Sequence, residues 1–120
     1  MKKKILLIED NKDSLYYMKY LLEKKGFIVY EARTAAKGIS IVKDVELDMV
    51  LMDIQLPDMS GSEATGKIRE FSGAKTLPIV AITAYAMPGD RERILSTGLS
   101  GYLSKPIDHE TLLAEIEKHL

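Results

Sequence analysis

The stretch MVLMDIQLPDMSGSEATGKI (residues 49–68) decides how the rest of the chain is read. MVLM (49–52) is an unbroken apolar run of strand length, and it ends in Asp53. A strand with no polar alternation is covered on both faces, as in a parallel sheet. Further on, Ser60 and Glu63 form a capping box. Ala64, Ile68 and Phe71 then recur at i, i+4 and i+7, and Gly73 is placed to stop the helix. The stretch is therefore one strand–loop–helix unit with a carboxylate at the strand's end.

The same unit repeats outward in both directions. KILLI (4–8), FIVYEA (27–32), PIVAI (78–82) and GYLS (101–104) read as further strands. Leu15, Met18, Leu21 and Leu22 form a helical stripe that Gly26 ends. Thr34 can cap a second helix carrying Ala35, Ile39 and Val42. Pro88 suits the first turn of a fourth helix, anchored by Ile94 and Leu95 and ended by Gly98. Asp108 can cap the last helix, with Leu112, Leu113, Ile116 and Leu120 as its stripe. The order is βαβαβαβαβα, which predicts an open α/β sandwich of five strands and five helices. The 120 residues suit one domain, expected over 1–120.

Composition excludes several function classes. There is no cysteine, so disulfides, thiolate metal sites and thiol nucleophiles are absent. The 17 Lys+Arg against 18 Asp+Glu give a charge of −1 and no electrostatic case for nucleic acid. The run Lys2-Lys3-Lys4 is too short for a polybasic arm and reads as solvated chain before a strand. No apolar run approaches the ~20 residues of a membrane span, and no signal-peptide core follows Met1. The expectation is a soluble cytoplasmic protein without membrane contact.

In a parallel α/β sheet, functional groups gather at the carboxyl ends of the strands. Those ends carry Glu9 and Asp10, then Asp53, Thr83, and Lys105 with Pro106. Glu9-Asp10 alone would read as a solvated loop. With Asp53 and Lys105 at neighbouring strand ends, the three carboxylates read as a site. At ~5 Å and an effective dielectric near 20, each ionised pair costs about 3 kcal/mol until a cation binds. An all-oxygen donor set selects Mg²⁺ or Mn²⁺ over zinc. A carboxylate beside such an ion and an ammonium can attack a phosphoryl group, giving an acyl phosphate. Thr83 is placed to hydrogen-bond the arriving oxygens.

These residues resemble the receiver domains of two-component response regulators over the whole chain. The carrying motifs are Glu9-Asp10 after KILLI, MDIQLPDMSG (52–61), AITAYAMPGD (81–90) and GYLSKPID (101–108). Their look is nearest to single-domain cell-cycle regulators and hybrid-kinase receivers. The resemblance implies a flavodoxin-like, doubly wound sheet of order 2-1-3-4-5. It implies that Asp53 is the phosphoacceptor and that Mg²⁺ is held by Asp10, Asp53 and the Gln55 backbone carbonyl, with Glu9 acting through water. It makes Thr83 and Tyr102 a switch pair, Lys105 the charge-stabilising ammonium, and Pro106 the partner in a cis bond. Gln55 and Tyr85 border the path of hydrolytic water and would tune the lifetime of the phosphoryl group. The implied donor is a histidine kinase or a histidine phosphotransfer protein. The implied output is a protein partner on the face of the fourth helix, fifth strand and last helix. On this reading the protein is no enzyme beyond its own phosphorylation and dephosphorylation.

Competing readings fail on particular residues. A phosphatase of the haloacid-dehalogenase type places a second Asp two residues after its nucleophile, where this chain has Gln55, which cannot transfer a proton. A flavodoxin-like cofactor binder needs a phosphate-cradling loop after the first strand, where Glu9-Asp10-Asn11 would repel phosphate. Gly61-x₄-Gly66-Lys67 is nearly a P-loop, but Ile68 stands where Ser or Thr must ligate Mg²⁺. His109 and His119 lie ten apart on the last helix, wrong for a two-His metal site, and read as surface residues. Tyr16, Tyr17 and Tyr20 form a candidate partner patch on the first helix.

Overall fold

Each of the five apolar runs becomes a strand in the computed structural model, which describes residues 2–84 and 98–120. In order come β1 (Lys4–Ile8), α1 (Lys12–Lys24), β2 (Ile28–Ala32), α2 (Ala35–Asp44), β3 (Met49–Asp53) and α3 (Gly61–Arg69). A short 3₁₀ turn (Ser72–Ala74), β4 (Ile79–Thr83), β5 (Gly101–Ser104) and α4 (His109–His119) follow. The helix expected after Pro88 lies outside the described residues, as does Tyr85. The strands form one parallel sheet in the order β2-β1-β3-β4-β5, the flavodoxin-like arrangement.

Side-chain alternation along the strands builds two cores. Ile5, Leu7, Leu51, Val80 and Ile82 join Leu15, Met18 and Leu22 of α1 and Leu112 and Ile116 of α4 on one face. Leu6, Ile8, Val50, Met52 and Ala81 join Val42 of α2 and Ala64 and Ile68 of α3 on the other. β3 and β4 are buried along their whole length, as the unbroken apolar runs predict. Burying one Leu or Ile side chain contributes about 1.5–3 kcal/mol. At Gly38, α2 comes so close to β1 that an added Cβ would lie 2.7 Å from Ile8 Cγ1. Ile8 is the residue before Glu9.

Three details of the helices differ from the sequence reading. α3 ends at Arg69, short of Phe71 and Gly73. The Arg69 guanidinium donates to the carbonyls of Ala74, Leu77 and Gly98, which bends the chain back and leaves Gly73 in the 3₁₀ turn. Leu120 caps α4 and is 44% exposed rather than packed. His119 is not a surface residue. Its side chain is 15% exposed and lies 3.2 Å from Glu115 Oε1. The pair fills the space over Gly101, where an added Cβ would collide with both side chains.

Candidate functional site

Strand register assembles the site. Ile8 pairs with Met52, so the next residues, Glu9 and Asp53, come level at the end of the β1–β3 pair. Asp53 pairs with Ile82, which sets Thr83 one residue beyond. Thr83 pairs with Ser104, and the Lys105 N–H donates to the Thr83 carbonyl at 2.8 Å. Glu9, Asp53 and Thr83 are buried, and Asp10 and Lys105 are half-buried. The Lys105–Pro106 peptide bond is cis, the form the resemblance implies.

Lys105 serves two carboxylates. Its Nζ donates to Asp53 Oδ2 at 3.0 Å and lies 2.8 Å from Glu9 Oε1. The second contact is a close ion pair to a fully buried carboxylate. Glu9 Oε2 accepts from the Asn11 N–H at 3.1 Å. Asp53 Oδ1 accepts from the Gln55 N–H at 2.8 Å. Gln55 itself is joined to Ser60 by an isolated antiparallel bridge.

Burial pushes the Glu9 carboxyl up to about 7; the Lys105 ammonium opposes this, and neighbouring Asp53 adds to it. Burial alone would lower the Lys105 ammonium, but its contacts with Glu9 and Asp53 outweigh that and hold it raised. Lys105 therefore stays charged and is shared by the two acids.

The donor set fits a hard divalent cation. One oxygen from each of Glu9, Asp10 and Asp53 lies within 4.8 Å of the others, and all three donors are carboxylates. A cation there would offset both the mutual repulsion and the burial of charge.

Two contacts near the site were not read from the sequence. Asp58, in the loop after β3, accepts from the N–H groups of Ala35 (3.0 Å) and Ala36 (2.9 Å) with its two oxygens. Arg33 donates to the Asp10 carbonyl at 3.0 Å. Both join segments more than 20 residues apart, and no local spacing signals them. Tyr102 is half-buried on β5 and packs on the α2–α3 side of the sheet. Tyr16, Tyr17 and Tyr20 are 74%, 42% and 54% exposed on α1. A groove of about 570 Å³ beside Lys105 and Pro106 is lined by Asp13, Ser14, Tyr17 and Ala84.

Comparison with known proteins agrees with this geometry. Residues 5–117 match the response regulator receiver domain family. The polar-differentiation response regulator DivK of Brucella ovis is 33% identical over 120 residues, spanning all of this chain and 98% of that protein. The receiver domain of a sensor histidine kinase from Pseudomonas aeruginosa PAO1, solved with a magnesium ion coordinated in its active site cleft, is 31% identical. It superposes with a TM-score of 0.91 over 99% of this chain and 98% of that one. The chemotaxis response regulator CheY4 of Vibrio cholerae gives a TM-score of 0.95 at 25% identity, over the full length of both chains. The chain belongs to the response regulator receiver domain family, the phosphoacceptor modules of two-component signalling. No helix among the described residues is long and apolar enough to cross a membrane.

Proposed function

We propose that Asp53 accepts a phosphoryl group from the phosphohistidine of a histidine kinase or a histidine phosphotransfer protein. The observation that carries this reading is the Lys105 ammonium, 3.0 Å from Asp53 Oδ2, beside the Glu9 and Asp10 carboxylates. An Asp53 oxygen forms the new O–P bond as the P–N bond breaks, and the electron pair returns to the imidazole. Asp10, Asp53 and the Gln55 carbonyl would hold Mg²⁺, with Glu9 acting through water; Mn²⁺ suits the same donors. The bound ion supplies positive charge against the carboxylates and the transferring oxygens. Lys105 supplies the second positive charge, and the Thr83 hydroxyl hydrogen-bonds a phosphoryl oxygen. The groove lined by Tyr17 and Ala84 gives a donor imidazole its approach.

The output is binding, not turnover. Phosphorylation replaces about −1 with about −2 at the site. Thr83 closes on the new charge and Tyr102 follows inward, altering the face of β5, α4 and the helix expected after Pro88. A protein partner reads that face, with no direct role for nucleic acid, and the module works in the cytoplasm. Gln55 and Tyr85 set how readily water attacks the phosphorus, so the protein catalyses only its own phosphorylation and dephosphorylation.

The test is incubation with acetyl phosphate with and without Mg²⁺. One phosphoryl group should be gained only with the ion, and none in Asp53→Asn. Labelling undiminished in EDTA would remove the metal from the mechanism. Sustained hydrolysis of a generic phosphomonoester would favour an enzyme instead.

A further inference from the structure

Of the groups that would hold the metal, Asp53 ends β3, while Asp10 and Gln55 sit on two loops, and both loops are tied to one corner of the fold. α2 begins after Thr34, whose hydroxyl accepts from the Lys37 N–H at 3.2 Å. The two earlier N–H groups of that first turn, on Ala35 and Ala36, go to the two oxygens of Asp58. Asp58 is on the loop from β3 to α3, three residues after Gln55. That loop is closed on itself by the Gln55–Ser60 bridge and by the Gly61 N–H to the Ile54 carbonyl at 3.2 Å. Holding Asp58 therefore holds the closed loop as one piece, with the Gln55 N–H on Asp53 Oδ1. On the other side of the same corner, Arg33 fixes the backbone carbonyl of Asp10.

We propose that Asp58 is a positioning residue for the metal site. It anchors the loop carrying the Gln55 carbonyl to the first turn of α2, as Arg33 anchors the Asp10 loop to the residues just before that helix. Asp58 touches neither the metal nor the phosphoryl group. Two charge-assisted bonds to consecutive N–H groups at a helix start fix its carboxylate in position and orientation together. A site whose ligands come from separate loops binds a cation only as well as those loops are held in place. This inference rests on the metal reading given under Proposed function.

The test measures Mg²⁺ binding by calorimetry on the full chain, beside its thermal midpoint. Asp58→Ala should weaken Mg²⁺ binding at least threefold, and Asp58→Asn, which keeps one acceptor oxygen, should lie between. In phosphorylation by acetyl phosphate, Asp58→Ala should need more Mg²⁺ for half-maximal rate, while its rate at saturating Mg²⁺ stays near that of the unaltered protein. Thr34→Ala removes a cap from the same helix without touching the loop. It should lower the thermal midpoint and leave Mg²⁺ binding unchanged. Equal Mg²⁺ affinity in Asp58→Ala and the unaltered protein would overturn the proposal. So would an equal loss in Thr34→Ala, since a general loosening of α2 would then account for both. No saturable Mg²⁺ binding by the unaltered protein would instead remove the metal reading, and this inference with it.

Discussion

Lys105 Nζ lies 3.0 Å from Asp53 Oδ2 and 2.8 Å from Glu9 Oε1. One half-buried ammonium thus offsets two buried acids that strand register sets level with each other. Removing one partner of a fully buried pair costs about 3–5 kcal/mol. The Lys105 side chain is 23% exposed, and solvent screening reduces the expected loss in Lys105→Ala to about 1–2 kcal/mol. Urea unfolding in EDTA measures it, and added Mg²⁺ should recover part of it. Equal stability of Lys105→Ala and the unaltered protein would show that this pairing contributes nothing.

Glu9 makes metal-free stability depend on pH in an unusual direction for an acid. Its folded value of about 7 stands above the ordinary 4.5, so folding favours the protonated form. The contribution is complete below the unfolded value and is lost as pH rises through about 7. Urea midpoints in EDTA from about pH 5 to about pH 8 should fall across this window. Glu9→Gln should lack that fall. A decline of the same size in the variant would assign it to other groups.

Gly61 opens α3 where the helix presses on the loop after β3. An added Cβ would lie 2.7 Å from Ile54 Cγ2 and 3.0 Å from Ile54 Cα. The second contact is backbone, so a side-chain rotation cannot relieve it. Gly61→Ala should cost about 1–3 kcal/mol, read as a lowered thermal midpoint. An unchanged midpoint would mean that the loop yields freely, which would also weaken the case for a held Gln55 carbonyl.

The strands were legible because β3 and β4 are apolar on both faces, which only a covered parallel sheet requires. Their ends moved by one residue for local reasons. Pro78 has no N–H to give the ladder, so β4 starts at Ile79, while the pairs Asp53–Ile82 and Thr83–Ser104 carry β3 and β4 one residue further. The Phe27 N–H closes the end of α1 on the Leu22 carbonyl, leaving β2 to start at Ile28. Strand order came from the resemblance, since periodicity carries no information about which strands are neighbours.

The acidic cluster was legible for a similar reason. A residue at the carboxyl end of a parallel strand has one edge to occupy, whatever the strand order. What sequence could not supply was the partner of each group. Lys105 reaching Glu9 as well as Asp53 depends on register, and Asp58 meeting α2 depends on the path of a loop. His119 read as exposed because its burial depends on the missing side chain of Gly101, on a different element.

The central claim, that Asp53 itself carries the phosphoryl group, is tested most directly by mapping the modified residue. Protein treated with acetyl phosphate and Mg²⁺ is reduced with borohydride, which converts an acyl phosphate to an alcohol and leaves a free carboxylate unchanged. Peptide mass spectrometry then locates the change. The account predicts conversion at position 53 alone, dependent on Mg²⁺ and absent without acetyl phosphate. Conversion at Asp10, Glu9 or any other acid, with position 53 unchanged, would contradict it.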